Sequence, residues 1–281
     1  MTERSPSQTA LSVATLRAVH QIVDAEPRIL DDPVAARLLD ANVHLAIRAG
    51  LARVDAPETR ALRSHVVLRS RFSEDRLAEA VRRGVSQCVI LGAGFDTFAY
   101  RQPDWAKALR IFEVDQPATQ SEKRRRLQRG GVPIPANLEF VAIDFEAASL
   151  REGLQASTLD FAAPAFFSCL GVLVYLTAEA VDAIFQLVAG FPSSSEIAFT
   201  FSAPQPSSSP MAARAAAVGE PWLSEIEPEA LERKLAGLGF AETVFLDPAT
   251  AERTYFPAAR SDGLAAPRRF SIGAAIVGGD V

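Results

Sequence analysis

Val89-Ile90-Leu91-Gly92-Ala93-Gly94-Phe95-Asp96 is an apolar run that ends in a Gly-x-Gly loop. Glycines at the end of a strand let the backbone turn sharply and approach a ligand closely. We therefore expect a ligand-binding loop at Gly92, Ala93 and Gly94. A tight turn with no ligand explains the same pattern, so the loop needs support from elsewhere in the chain.

An acidic residue supplies that support. Asp115 ends the next apolar run about twenty residues after the loop, where a carboxylate can accept two hydrogen bonds from a ribose diol. Thr97 stands where dinucleotide-binding enzymes have their third glycine, so a close approach to a pyrophosphate is not specified. A cofactor with an adenosine and no phosphate, S-adenosylmethionine, fits this pair of motifs better than NAD.

A third apolar run ends in Asp144 and Phe145. A carboxylate can accept a hydrogen bond from an adenine amino group while an aromatic ring packs on the base. The two residues therefore extend the candidate cofactor site. Asp144 could equally cap a helix that starts near Ala147.

From Gly84 onward, short β-rich runs alternate with helical ones, which indicates an α/β fold: a mostly parallel sheet with helices on both faces. The strand candidates are Gln87–Leu91, Leu109–Val114, Leu138–Ile143, Ala165–Leu170, Glu196–Phe201, Ala241–Leu246 and Phe270–Val277. The helix candidates between them are Pro117–Arg129, Ala148–Ser157, Ala178–Ala189, Ala212–Val218 and Pro228–Leu238. Residues 247–269 show no obvious helix, so we expect the last two strands to form an antiparallel pair near the sheet edge.

The first 84 residues have helical periodicity and are predicted as helices over roughly Gln8–Asp24, Pro33–Ala49 and Pro57–Arg83. We expect residues 1–84 to be a helical extension of the same domain that covers the cofactor and substrate. Residues 85–281 would form the cofactor-binding core. A Pro- and Ser-rich stretch after the fifth strand predicts a substrate-side insertion near residues 202–226, or a plain linker.

The composition narrows the function classes. The chain has 281 residues, 48% of them hydrophobic, and a net charge of −5, which suits a well-cored domain and disfavours a polyanion binder. Cys88 and Cys169 lie in apolar runs and imply no disulfide framework. The first thirty residues lack the apolar segment of a secretory signal, and no stretch is long enough for a membrane span, so we expect a cytoplasmic protein.

Several motifs together resemble a known family. They are Leu68-Arg69-Ser70-Arg71-Phe72, the loop from Val89 to Arg101, Glu113-Val114-Asp115-Gln116-Pro117 and Gly171-Val172-Leu173-Val174-Tyr175-Leu176. In these motifs the chain is similar to the leucine carboxyl methyltransferase family, and more closely to its bacterial branch of S-adenosylmethionine-dependent methyltransferases, which includes polyketide O-methyltransferases. The resemblance extends from about Ser12 to Val277.

The resemblance implies a seven-stranded, class I methyltransferase fold with extra N-terminal helices and S-adenosylmethionine as cofactor. The cofactor-binding residues it implies are Arg71 at the methionine carboxylate, Gly92, Ala93 and Gly94 along the cofactor, Asp115 with its neighbour Gln116 at the ribose, Asp144 and Phe145 at the adenine, and Leu170 beside the amino end. Leu170 stands where many members have Glu, and Phe98 stands where many have Arg. A member that has lost catalysis therefore stays an alternative.

Methyl transfer from a sulfonium is an in-line displacement that needs orientation and a dry pocket more than acid–base groups. A carboxylate acceptor needs no general base, whereas a hydroxyl acceptor gains from one. The candidate catalytic or substrate-contacting residues are Tyr100 and Arg101, just beyond the glycine loop, and Tyr175, after the fourth strand.

The remaining polar features are interpreted as structural. The histidines, His20, His44 and His65, precede the first strand, and neither they nor the cysteines have the spacing of metal ligands, so no metal is expected. The basic run Lys123-Arg124-Arg125-Arg126 is interpreted as a solvated helix face, not as a nucleic-acid contact.

The sequence therefore predicts an S-adenosylmethionine-dependent O-methyltransferase that acts on a carboxyl or hydroxyl group of a small molecule, with neither nucleic acid nor membrane as partner. Two alternatives stay open at this point. One is an NAD(P)-linked oxidoreductase, and the other is a non-catalytic cofactor-binding or scaffold protein with the same fold. Neither the acceptor nor the oligomeric state has a readable motif.

Overall fold

A computed structural model of the chain describes residues 6–39, 42–144, 149–204, 210–256, 260–269 and 271–279. In this part of the chain, seven strands form one sheet: β1 (Gln87–Leu91), β2 (Arg110–Asp115), β3 (Leu138–Ala142), β4 (Ala165–Cys169), β5 (Glu196–Thr200), β6 (Phe240–Phe245) and β7 (Ile272–Val277). Their order is β3-β2-β1-β4-β5-β7-β6. The first five strands pair in parallel, and β7 is antiparallel to both β5 and β6.

The sheet forms where the sequence is continuously apolar. Every residue of β1, β4 and β5 is buried, which is typical of central strands covered by helices on both faces. The edge strands β3 and β6 are only partly buried. The seven-stranded α/β sheet and its antiparallel edge pair are therefore as predicted, with strand ends that differ by one or two residues.

Ten α-helices surround the sheet in the described residues: α1 (Gln8–Val23), α2 (Val43–Ala49), α3 (Leu51–Val54), α4 (Pro57–Arg82), α5 (Pro117–Arg129), α6 (Leu150–Gln155), α7 (Ala178–Ala189), α8 (Pro210–Ala217), α9 (Pro228–Gly237) and α10 (Pro248–Tyr255). Local chemistry fixes several starts. Ser7 and Thr177 accept hydrogen bonds from the backbone of α1 and α7, and α4, α5 and α9 begin with proline. None of these helices has the length and apolar character needed to cross a membrane.

Apolar clusters lie on both faces of the sheet. On one face, side chains of β1, β2, β4 and β5 pack with α7 and α9 around Phe167, Phe185 and Phe199. On the other face, Ile90, Ile111 and Phe166 pack with the end of α4 and the loop after β1. The extension before β1 thus contributes α4 to the core of the same sheet.

The predicted helix over Pro33–Ala49 is wrong, because the segment is interrupted. Residues Ala35–Leu38 form a single 3₁₀ turn, Leu39 is extended, and α2 begins only at Val43. Residues 40 and 41 lie outside the described residues. The interruption follows from Asp32, whose carboxylate caps this turn at Ala35 and is also held by buried partners from other segments.

The expectation of no helix between residues 247 and 269 is also wrong. Pro248–Tyr255 forms α10, and the Asp247 side chain caps it by accepting from the Thr250 backbone N–H. Asp-Pro is a normal helix start, but the following turns bury only Ala251. Such a short helix has almost no periodic apolar signal, and its stability comes from packing against α4.

The basic run in α5 is only partly a solvated face. Arg125 is exposed, but Lys123 is 1% exposed and its Nζ lies 2.7 Å from the Glu113 carboxylate. The Tyr100 hydroxyl donates to the same carboxylate over 3.0 Å. Burial raises the pKa of Glu113 to about 7, although the Lys123 ammonium opposes this shift. Lys123 is therefore an interior residue, contrary to the prediction.

A buried ion pair joins α1 to α4. The Arg63 guanidinium donates to both oxygens of Asp24 over 2.7 and 2.8 Å, and the His20 ring nitrogen lies 2.8 Å from the same carboxylate. Arg63 has no exposed surface and Asp24 very little. Such a pair is costly to break from one side, because the remaining carboxylate stays buried without its cation.

We expect Arg63→Ala to lower the free energy of unfolding by about 3–5 kcal/mol, because it leaves Asp24 buried without its cation. Urea denaturation monitored by circular dichroism measures the change. The matched control is Arg82→Ala, which removes an exposed arginine at the end of the same helix and should cost less than about 0.5 kcal/mol. Equal losses in the two variants would contradict the role given to the pair.

Candidate functional site

The candidate site lies at the carboxyl edge of the parallel strands. The chain crosses from β1 to β2 on one side and places β4 on the other, so the strand order reverses at β1. Ligands of open α/β sheets bind in the crevice at such a switch point. At this edge the glycine loop follows β1, and Leu170 follows β4. Asp115 is the last residue of β2.

The glycine loop is confined on both sides. Gly92 and Gly94 have φ angles of +63° and +45°, a region that side chains disfavour. A Cβ on Gly92 would collide with the side chain of Val172, which follows β4, and a Cβ on Gly94 would lie 3.1 Å from the methyl group of Ala10 in α1. The Ala93 N–H donates to the Val114 carbonyl over 3.0 Å, which ties the loop to β2.

Asp115 faces this loop. Its carboxylate accepts hydrogen bonds from the backbone N–H of Gly94 and, over 2.7 Å, from that of Gln116, the N-cap residue of α5. Burial raises the pKa of Asp115, and these two hydrogen bonds oppose the shift. The structure therefore brings Gly92, Gly94, Asp115 and Gln116 together.

The predicted adenine residues are only partly described. Asp144 is half-buried beyond the end of β3, next to β2 in the sheet. Phe145 lies outside the described residues, as does the start of the helix that Asp144 was expected to cap.

Arg71, which the resemblance places at the methionine carboxylate, pairs with a neighbour on its own helix. Its side chain is 47% exposed and its Nε donates to Asp75 one turn further along α4. Arg69 lies at the strand ends instead: two of its guanidinium nitrogens are 2.8 Å from the point where a Cβ on Gly171 would stand. Two positions along an α-helix correspond to a rotation of about 200°, so the two arginines point to nearly opposite sides.

The Arg69 guanidinium has no hydrogen-bond or ion-pair partner among the described residues. By contrast, the arginines that are at least nine-tenths buried each bond a carboxylate; these are Arg17, Arg63, Arg101 and Arg260. Burial lowers the pKa of Arg69 to about 10, while Tyr175 and Asp96 favour its charged form. Arg69 is therefore a cation, available to an anion, that the sequence analysis missed.

A small cavity with both polar and apolar lining residues lies next to Leu170. Its volume is about 20 Å³, enough for roughly one water molecule. Ser70, Ser73 and Ser168 contribute hydroxyl groups to its lining, and Glu74 and Asp96 contribute carboxylates. Leu170 thus stands beside two carboxylates from other segments.

Tyr100 and Arg101 are interior residues, so neither is placed as a substrate contact. Tyr100 donates its hydroxyl to Glu113, and burial raises the pKa of that hydroxyl well above its usual range. Arg101 is 8% exposed, pairs with Glu74 and donates to Thr97 over 3.1 Å. Tyr100 ends a 3₁₀ turn that begins at Phe98, and Arg101 is its C-cap residue, a feature with no sequence signal.

Tyr175, the third predicted substrate contact, lies just beyond the carboxyl end of β4. It is half-buried in the 3₁₀ turn after β4, close enough to Arg69 to influence its charge. His65, one helical turn before Arg69 in α4, has its Nδ1 3.5 Å from the Ser271 hydroxyl at the start of β7. Burial and the nearby Arg69 charge lower the pKa of His65 to about 3. His65 is therefore neutral at physiological pH.

Within the described ranges, no three His, Cys, Asp or Glu side chains come together as metal ligands. Cys88 and Cys169 are both buried and unpaired, and burial raises the pKa of each thiol. The chemistry-bearing groups at the strand ends are thus a cation, carboxylates, hydroxyls and glycine backbone.

The fold and this site define a class I S-adenosylmethionine-dependent methyltransferase. Residues 10–189 match the family model described as leucine carboxyl methyltransferase, and the chain belongs to that family. It is therefore a methyltransferase and its cofactor is S-adenosylmethionine, so the oxidoreductase alternative is set aside. The matched range begins in the first turn of α1, ends with α7 and includes every candidate cofactor residue.

Two relatives carry the name "Putative S-adenosyl-L-methionine-dependent methyltransferase". The chain is 34% identical to one from Mycolicibacterium paratuberculosis over 71% of this chain and 77% of the relative. It is 30% identical to YktD of Bacillus subtilis over 95% of this chain and 96% of YktD.

Two solved structures share the fold. One is a DUF574 family protein from Streptomyces avermitilis, with a TM-score of 0.58 and 18% identity over 98% of both chains. The other is a "putative methyltransferase" from Thermobifida fusca, with a TM-score of 0.55 and 18% identity over 98% of this chain and 96% of the other.

We expect Gly92→Ala to remove binding of S-adenosylhomocysteine, because the added methyl group demands a disfavoured φ and collides with Val172. Isothermal titration calorimetry measures the affinity. Gly237→Ala is the matched control, since its Cβ would meet no atom within 4 Å and the residue lies at the end of α9. Unchanged affinity in Gly92→Ala would contradict the assignment of this loop.

Proposed function

We propose that the chain transfers a methyl group from S-adenosylmethionine to an oxygen of a small molecule, either a carboxylate or a hydroxyl. The observation that carries the proposal is the arrangement at the ends of β4 and β5, where Arg69, Tyr175 and a neutral His65 stand near one another. Tyr175 and His65 can orient an oxygen acceptor beside a cofactor held by Arg69, and no metal-ligand cluster accompanies them in the described residues.

The residues of the crevice suit the parts of the cofactor. Asp115, with Gln116 beside it, would hold the ribose hydroxyls, and Gly92 to Gly94 would lie along the cofactor chain. Arg69, rather than Arg71, would hold the methionine carboxylate, because its guanidinium lies against Gly171 and has no hydrogen-bond or ion-pair partner among the described residues, whereas Arg71 pairs with Asp75. When bound, the cofactor supplies an electrophilic methyl group on a sulfonium.

The amino end of the cofactor would be held by Asp96 and Glu74. Leu170 has no carboxylate to offer, but both acidic side chains line the cavity beside it. Each side chain is about one-fifth exposed and pairs with one arginine, Asp96 with Arg17 and Glu74 with Arg101. Leu170 is then compatible with an active enzyme, because the negative charge comes from the loop after β1 and from α4.

Of the two acceptor types, a carboxylate suits the site better than a hydroxyl, because the described residues of the site offer no strong base. A carboxylate is already ionised and needs no base, whereas a hydroxyl acceptor benefits from a base with a pKa near neutrality. His65, with its pKa lowered to about 3, is a weak base. The protein would then contribute orientation and exclusion of water.

We expect Arg69→Met to weaken binding of S-adenosylhomocysteine by about ten- to a hundredfold, the loss typical of hydrogen bonds to a charged group. Arg71→Met is the matched control on the same helix and should change the affinity by less than about twofold, because Arg71 pairs with Asp75 at the surface. Calorimetric titration of both variants measures the affinities. The reverse order of effects would restore Arg71 as the carboxylate ligand.

The acceptor class is tested with S-adenosylmethionine labelled in the methyl group and a panel of carboxylic acids and phenols. A methyl ester releases labelled methanol in mild alkali, whereas a methyl ether or methylamine keeps its label. We expect turnover with carboxylic acids and an alkali-labile product. An alkali-stable product would exclude ester formation. If mass spectrometry then identifies the product as a methyl ether, the acceptor is a hydroxyl group, and if it identifies a methylamine, the O-methylation proposal fails.

A further inference from the structure

We propose that Glu220 is a latch that holds the first turn of α1 across the cofactor crevice, and that cofactor exchange requires its release. Glu220 lies after α8, far from the crevice in sequence. The proposal rests on the cofactor position proposed above. It adds a positioning residue that acts on the cofactor through α1 and does not itself touch the reacting atoms.

Glu220 binds the start of α1 through several donors. Its carboxylate accepts from the backbone N–H of Gln8 over 2.7 Å and of Thr9 over 3.4 Å. It also accepts from the hydroxyl groups of Ser7, over 3.0 Å, and of Thr9. The N-terminal N–H groups of a helix have no partners within the helix and carry partial positive charge, so a carboxylate from another segment is well placed there.

The first turn of α1 crosses the crevice from one wall to the other. The Ser7 N–H donates to the Thr119 hydroxyl in the first turn of α5 over 3.1 Å. On the opposite side, Ala10 stands against Gly94, and a Cβ on Gly94 would be 3.1 Å from its methyl group. Asp115 bonds Gly94 and precedes α5, so it lies between these two anchor points. A ligand on Asp115 would therefore lie beneath this turn.

Glu220 itself is held from the other half of the sheet. Residues 220–226, the roof segment, are bonded to the ends of β4 and β5. The Leu223 N–H and the Ser224 hydroxyl donate to the carbonyls of Val174 and Leu173 over 2.6 and 2.7 Å, and the Ile226 N–H donates to the Ser202 carbonyl over 2.8 Å. The Glu220 contacts thus connect the first turn of α1, which lies over the ends of β1 and β2, to the roof segment, which lies over the ends of β4 and β5.

Release of this contact would move only the start of α1. Further along the helix, Arg17 is 4% exposed and bonds Asp32 and Thr97, so the middle of α1 is fixed to the interior. Helix ends open at a small free-energy cost compared with buried segments. On the side of the roof segment, the bonds from Glu220 are then the main restraint on the first turn of α1, which covers the crevice.

The test measures exchange of S-adenosylmethionine in the full chain. Protein loaded with the labelled cofactor is mixed with excess unlabelled S-adenosylhomocysteine, and the retained label is followed over time. Association is measured in parallel by stopped flow. We expect Glu220→Ala to raise both the association and the dissociation rate constant by about tenfold or more, as lost hydrogen bonds to a carboxylate imply. Thr9→Val, which removes one donor and keeps the shape, should raise both to a smaller extent.

The matched control is Glu225→Ala, which removes an exposed carboxylate of the same roof segment and should leave both rate constants unchanged. If dissociation alone accelerates, the first turn of α1 is a contact and not a gate, and the latch is overturned. Unchanged rate constants in both Glu220→Ala and Thr9→Val overturn it as well. If the unaltered chain retains no label, the proposed cofactor site fails, a result distinct from either of these.

Discussion

The buried contacts of Arg17 are the interaction on which the site depends. Its guanidinium bonds Asp32 over 3.1 Å and Thr97 over 2.6 Å, and its Nη1 lies 3.4 Å from the Asp96 carboxylate. These bonds join α1 and the 3₁₀ turn of the extension to the loop after β1. Because burying a cation is favourable only with its carboxylate partners in place, the extension and the glycine loop must fold together. The position of α1 over the crevice follows from these Arg17 contacts.

Features set by local sequence were predictable. The strands follow from apolar runs, and the glycine loop with Asp115 follows from the positions of those residues at strand ends. Right-handed crossovers then predict a mostly parallel sheet that is covered on both faces. These signals are short-range: Gly92 needs its φ of +63° whatever the rest of the chain does. The sequence analysis therefore placed the glycine loop correctly after β1 but could not place the side chains that surround it.

The errors concern residues whose roles depend on distant partners. Arg69 and Arg71 are two residues apart, and only the rotation of α4 against the sheet decides which one faces Gly171. Lys123 is buried because Glu113 on β2 faces it, and no pattern within α5 reveals that pair. Glu220 contacts a helix more than 200 residues earlier. Such contacts are set by tertiary packing, which has no local periodicity.

The charges around the crevice also bear on the cofactor's amino-acid end. Arg17, Arg69 and Arg101 supply three cations, and Asp32, Asp96 and Glu74 supply three carboxylates, so the cluster has no net charge. The amino-acid end of the cofactor is a zwitterion and also has no net charge. Its binding therefore changes which groups pair with one another but leaves no uncompensated charge. An additional glutamate at position 170 would add a negative charge beside Glu74 and Asp96, two carboxylates that already line the same cavity. We infer that leucine is tolerated at this position because the neighbouring carboxylates already provide the charge that the ammonium group needs.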